Sequence, residues 1–304
     1  MKGRETEALA EGYASRKLLP AIRGSARAML FLRQIEILLG RPAGLRCMDV
    51  GGEGGWISAM LRQGGGEWTS ANQPGPSLES LRHMVSDERV VALEDGRIPV
   101  DDQSFDVVVL VDILEHVADE AAFIHECHRI LKPAGKLIVN VPFSARVAPL
   151  RLVRSLAGLG DDRVGHVRHG YTRRELFDVL KDGFDVQDIR RYSRLLIEAA
   201  DVMARRSALN AADDAAAHRP DPITISRAQA RAWKRLSWVS WTAAQLDALL
   251  FLSPGYRMIV RAKRRLWIPR KAPVLRDGRS IAEATLGARI GTASALSAAR
   301  GGTK

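Results

Sequence analysis

Residues 104–111, Ser-Phe-Asp-Val-Val-Val-Leu-Val, constrain the fold of this chain more than any other segment. A β-branched run without polar alternation describes a strand buried on both faces, and such a strand needs helices on either side of its sheet. The surrounding sequence supplies them. Strand signals at 45–50, 66–72, 89–93 and 136–142 alternate with helical stretches: one follows Gly55 and stops at Gly64, one opens near Pro76, and one carries Phe123, Cys127, Ile130 and Leu131 along a single stripe. Strand–helix alternation of this kind predicts an α/β fold, a doubly wound parallel sheet covered on both faces.

Elaborations flank this pattern. Residues 1–42 read as N-terminal helices, with apolar residues at helical spacing from Arg27 to Leu39. Residues 143–160 read as helical and basic, and Thr172 with Glu175 forms a capping-box signature. Two late strands are expected at 184–194 and 255–265, bringing the sheet to seven. A polar linker, "NAADDAAAHRPDP", and a helix with Trp233, Trp238 and Trp241 lie between them as a helical insertion. The expected organisation is therefore N-terminal helices over 1–42, a core over 43–194, a helical cap plus the last strand over 195–271, and a disordered Ala-, Gly-, Ser- and Arg-rich tail over 272–304.

Charge and cysteine content narrow the classes. Residues 1–142 hold 16 basic and 20 acidic side chains, whereas residues 143–304 hold 30 and 15, so the net +11 belongs to the second half. Two cysteines, Cys47 and Cys127, are too few for a disulfide framework or a cysteine-rich zinc site, and both read as small apolar residues in a reducing compartment. The charged N-terminus lacks the apolar stretch of a signal peptide, and no run reaches the roughly 18 uncharged residues of a membrane span. A cytoplasmic location is expected, peripheral to the inner face of the membrane if the basic half meets anionic lipid.

The turn "CMDVGGEGG" (47–55) places glycines at 51, 52, 54 and 55, where backbone N–H groups and a helix N-terminus can approach a ligand. This spacing departs from G-x-G-x-x-G, and the second strand ends in Asn72–Gln73 where a dinucleotide fold places an acid, which argues against NAD. In order and spacing, "MDVGGEGG", "ALEDGRIPVDDQSFDVVVLVDILEHV" and "AFIHECHRILKPAGKLIVNVP" resemble the class I S-adenosylmethionine-dependent methyltransferases, in particular the type 11-like branch with an L-E-H-V segment. The resemblance spans about residues 43 to 142 and implies a Rossmann-like seven-stranded sheet and S-adenosyl-L-methionine as cofactor.

Carried over by position, the resemblance puts Asp49, Gly51 and Gly55 around the methionine part of the cofactor, with Asp112 lining the same side and Gly52 a further cofactor-binding residue of the turn. Glu94 or Asp95 would lie beside the adenine. Glu53 stands where the pattern has a glycine, and Asn72 near where it has a ribose-binding acid. An amide can still donate to and accept from a ribose, without charge assistance. A carboxylate at Glu53 could attract a cationic ligand, or point into solvent.

Methyl transfer from a sulfonium is an in-line displacement in which the protein positions the nucleophile, and a hydroxyl nucleophile benefits from a general base. His116, just beyond the fourth strand, and His166, in "GHVRHGY", are the candidates, with Arg168, His169 and Tyr171 available to orient a substrate. His116 can equally fix a helix start, and residues 166–171 can equally form a solvated loop. His125 and His128 lie three apart on a helix without a third ligand in view, so no metal is expected. The expected acceptor is a small or lipid-like molecule. The tryptophans and cations of 233–265 suit a cap, a lid or contact with an anionic membrane, and the lack of a nucleic-acid motif argues against nucleic acid. A binding or scaffold protein that keeps the fold without turnover is the alternative that Glu53 and Asn72 motivate.

Overall fold

The computed structural model describes residues 19–52, 55–85, 89–144, 168, 170–213, 231–249 and 255–266. The chain divides into two compact units, Met1–Arg265 and Leu266–Lys304, and the described residues belong to the first apart from residue 266. The expected helix over 143–160 and the tail over 272–304 lie outside the described residues, apart from the first two positions of the former.

The elements follow the alternation read from the sequence. After a helical turn at Leu19–Ile22 come α1 (Ala26–Leu39), β1 (Arg46–Gly51), α2 (Trp56–Gln63), β2 (Glu67–Asn72), α3 (Pro76–Val85), β3 (Val90–Ala92) and β4 (Phe105–Val111). A 3₁₀ turn, Leu114–His116, leads to α4 (Glu120–Ile130), β5 (Leu131–Pro142), α5 (Arg173–Leu180) and β6 (Phe184–Tyr192). The insertion helices α6 (Leu195–Asp213) and α7 (Ser237–Leu249) precede β7 (Arg257–Arg264). Where the sequence suggested a linker from Asn210, α6 runs on to Asp213: "NAAD" contains good helix formers and no glycine or proline to stop the helix.

The seven strands lie in the order β3-β2-β1-β4-β5-β7-β6. The first five pair in parallel, as in Met48↔Val108 and Val108↔Leu137, and β7 runs antiparallel between β5 and β6, as in Val139↔Val260. β4 shows why the run at 104–111 was decisive. Val108 and Leu110 join Met48, Val50, Leu137 and Val139 under α4 and α5, while Val107, Val109 and Val111 join Ile138 and Ile259 under α1 and α2. Each fully buried valine contributes about 1.5–3 kcal/mol, so exposing either face of β4 would be costly.

Local signals set the helix ends. The Ser25 hydroxyl accepts from Ala28 N–H at 3.2 Å to start α1, and Gly40, at φ 78°, ends it. Thr172 and Glu175 cap α5 reciprocally, at 2.7 Å and 3.3 Å. α6 is capped from afar: the Asp247 carboxylate, on α7, accepts from Leu196 N–H at 3.0 Å and Ile197 N–H at 2.8 Å.

Candidate functional site

In the sheet order, β1 is the switch point: the chain leaves it toward β2 and β3 on one side, then returns to place β4 on the other. Open α/β sheets bind ligands at the carboxyl ends of the strands around such a point. There a cleft of about 260 Å³ is walled by Gly51 and Gly52 after β1, by Asn72 and the Gln73–Ser77 loop after β2, and by Asp112, Ile113 and His116 after β4.

The glycine turn is sterically required. Gly51 has φ 90°, and a Cβ there would sit 2.4 Å from the Val111 carbonyl oxygen. Gly55 has φ 70°, and its Cβ would lie 2.7 Å from Leu81 Cα, so a side chain would push α3 away from the start of α2. Gly51 and Gly52 face the cleft, whereas Gly55 serves the packing of α2 on α3. Glu53 lies outside the described residues.

Asp49 sits beneath this turn, fully buried, and does not wall the cleft. Its carboxylate accepts from the Ser58 hydroxyl, from Ser70 Oγ at 2.7 Å and from Arg62 at 3.5 Å, which ties β1 to α2 and β2. Burial raises its pKa above the ordinary aspartate value despite these partners. Asn72 ends β2 almost fully buried; its Oδ1 accepts from Gln73 N–H at 2.8 Å, leaving the amide NH₂ to offer a ligand. Glu94 and Asp95 occupy an exposed turn after β3, closed by Glu94–Arg97 backbone bonds at 2.9 Å and 2.8 Å, and stand apart from the cleft walls.

Asp112 is the most constrained residue of the cleft. Its backbone has φ 47°, unusual for a residue with a side chain. Asn140 Nδ2 donates to one carboxylate oxygen at 2.5 Å, and Arg257 pairs with the other. Tyr192 donates in turn to Asn140 Oδ1 at 2.5 Å. Arg257 also lies 3.8 Å from Glu198, which accepts from Arg27 at 3.1 Å and Ser193 at 2.5 Å; Arg27 reaches Asp201 at 3.3 Å. A buried chain of alternating charge thus runs from the cleft through β7 to α6 and α1. Burial alone would raise the Glu198 pKa, but the Arg27 and Arg257 guanidiniums outweigh it and hold the carboxyl below its usual range. Burial opposes the Arg257 charge, yet Asp112 and Glu198 push its pKa up.

His116 lines the cleft half-buried, on the 3₁₀ turn after β4. Tyr171 is fully buried; its hydroxyl donates to the Leu114 carbonyl at 3.0 Å, and the Arg168 guanidinium lies 5.0 Å over its ring. Arg168 N–H donates to the Glu115 carbonyl at 3.3 Å, and its side chain lies 3.4 Å from Glu120. Arg168 and Tyr171 therefore clasp the turn that carries His116, whereas His166 and His169 lie outside the described residues. At the opposite end of the sheet, His128 meets the Arg265 carbonyl at 2.9 Å. Among the described residues no cluster of His, Cys, Asp or Glu could hold a metal. Burial pushes the Cys47 thiol up to about 12 and raises that of Cys127 as well, as expected of inert apolar cysteines.

Sequence reasoning missed Asn140, Arg257, Glu198 and Arg27. Arg27 and Asn140 lie within segments read as helix and strand, and no local pattern marks a partner 171 positions away, as Glu198 is from Arg27.

The methyltransferase domain family profile matches residues 48–139, the span from β1 into β5. A ubiquinone biosynthesis O-methyltransferase from Xanthomonas axonopodis is 35% identical over 105 residues, 33% of this chain and 44% of that protein. One from Alkalilimnicola ehrlichii is 33% identical over 116 residues, 36% of this chain and 47% of that protein. The chain thus spans less than half the length of the curated relatives it matches. Among solved structures, an S-adenosylmethionine-dependent methyltransferase from Mesorhizobium loti superposes with a TM-score of 0.50 at 17% identity, over 76% of this chain and 96% of that one. Sheet order, switch-point cleft and matched segment agree: this chain has the class I S-adenosylmethionine-dependent methyltransferase fold.

Proposed function

We propose that the chain binds S-adenosylmethionine in the cleft between β1, β2 and β4 and transfers its methyl group to a small or lipid-like acceptor. The observation that carries this reading is the meeting of the Gly51–Gly52 turn, the Asn72 amide and the Asp112 carboxylate at the switch point. Each suits one part of the cofactor. The glycine turn allows close backbone approach, Asn72 offers a donor to the ribose hydroxyls, and Asp112, fixed by Asn140 and Arg257, keeps carboxylate lone pairs that can accept from the ammonium of the methionine moiety. The cleft is close to the lower end of the ~300–1,000 Å³ typical of small-molecule sites.

When bound, the cofactor supplies an activated methyl on a sulfonium. This chain's residues then position the acceptor and, for a hydroxyl, remove its proton. His116 is the cleft-lining candidate for that base, held by the Arg168–Tyr171 clasp. The matched relatives are named as O-methyltransferases of ubiquinone biosynthesis; a hydroxylated, lipid-like acceptor is the corresponding proposal here.

Titration calorimetry with S-adenosylmethionine and its demethylated product tests the cofactor, and absence of binding would remove the reading. Asn72→Asp restores a charge-assisted acceptor for the ribose, and charged hydrogen bonds are roughly twice as strong as neutral ones, so Kd should fall about fivefold. Binding without turnover on hydroxylated, lipid-like acceptors would leave the scaffold alternative.

A further inference from the structure

The insertion carries a surface that the cleft does not use. α7 turns one face inward: Ser240 Oγ accepts from Ala26 N–H at 3.0 Å, Ala243 is buried, and Asp247 caps α6. Its outward face presents Trp238, 72% exposed, Trp241, 44%, and Leu246, 53%, with Thr242 and Gln245 among them. The helical stretch before it, residues 231–235, buries Trp233 and exposes Arg231, Lys234 and Arg235. Among the described side chains of 231–249, every exposed one is therefore cationic or uncharged. A solvent-facing helix face ordinarily carries charges, and large exposed aromatics grouped on one face mark an interaction surface. Trp241 also borders a wide groove of about 1190 Å³ in which Arg23, Arg33, Arg173, Arg191 and Arg194 outnumber the acidic lining residues Glu36 and Asp247.

We propose that this face of the insertion docks on an anionic phospholipid bilayer. Tryptophan favours the headgroup level, where its ring is apolar and its N–H is wet, and cations beside it meet the negative leaflet. The arrangement suits a sheet of anionic headgroups better than nucleic acid. Cations gather at one end and along the groove, while the tryptophans stand on the next turns, without the alternation that stacks bases between phosphate contacts. Among the described residues no helix is long and apolar enough to cross a membrane.

The test is co-sedimentation of the full chain with vesicles of phosphatidylglycerol and phosphatidylcholine, against phosphatidylcholine alone, at low and high salt. Partition onto the anionic vesicles should exceed that onto neutral ones by at least tenfold and fall steeply with salt. Trp238→Ser with Trp241→Ser should weaken it tenfold or more at unchanged circular dichroism. Arg231→Gln, Lys234→Gln and Arg235→Gln together, all exposed positions, should weaken it about a hundredfold at low salt, about fivefold for each charge. Equal partition onto both vesicle types, or wild-type binding by both variants, overturns the proposal. So does a lipid-free dimer that the tryptophan substitutions dissociate, which would assign the face to a second copy. A short RNA duplex that competes the chain off the vesicles and still binds the tryptophan variant would likewise overturn it.

Discussion

Two fully buried carboxylates behave in opposite ways, and the difference lies in their cations. Asp49 has one guanidinium at 3.5 Å and two serine hydroxyls, and burial still raises its pKa. Glu198 lies between Arg27 and Arg257, and its pKa is lowered. A raised carboxyl pKa contributes stability below the unfolded value and loses it as pH rises through the folded one; a lowered pKa contributes above the unfolded value and loses it as pH falls. Thermal melts across pH should show opposite trends. Asp49→Asn should gain on wild type as pH rises above about 4, and the deficit of Glu198→Gln should shrink as pH falls below about 4. Parallel curves would show that neither group titrates as its surroundings dictate. Arg257→Met removes the cation between Asp112 and Glu198 and should destabilise by about 3–5 kcal/mol, with part recovered by adding Glu198→Gln. Gly55→Ala combines a left-handed backbone with a clash on α3 and should lower the thermal midpoint by roughly 5–10 °C.

At the scale of elements, the signals that act within one turn were legible. The Thr172–Glu175 capping box is present where its spacing placed it, and Thr172→Ala should cost about 1 kcal/mol by chemical denaturation. The β-branched run of β4 specified a doubly covered strand because nothing in it could face water. The start of α6 was not legible in the same way, since its capping carboxylate, Asp247, stands 50 and 51 positions later on α7. Asp247→Ala should therefore destabilise α6, read as faster hydrogen exchange at Leu196 and Ile197, with α4 and α5 unaffected. Tyr171 belongs to the same class. The sequence offered it as a substrate contact, and the fold buries its ring to anchor the 3₁₀ turn that carries His116.

For the whole molecule, hydrophobic period, glycine placement and strand–helix alternation were sufficient to give the seven-stranded sheet and the insertion before its last strand, because each is written in neighbouring residues and enforced by burial. They also placed Gly51, Gly52, Asn72, Asp112 and His116 at strand ends, and a switch-point topology brings strand ends together. What tertiary structure alone decided is the support behind that edge: Arg257 and Asn140 on Asp112, Arg27 on Glu198, Asp247 on α6. These pairs join residues up to 171 positions apart, and a charge finds its partner through proximity that only the folded sheet and its helices create.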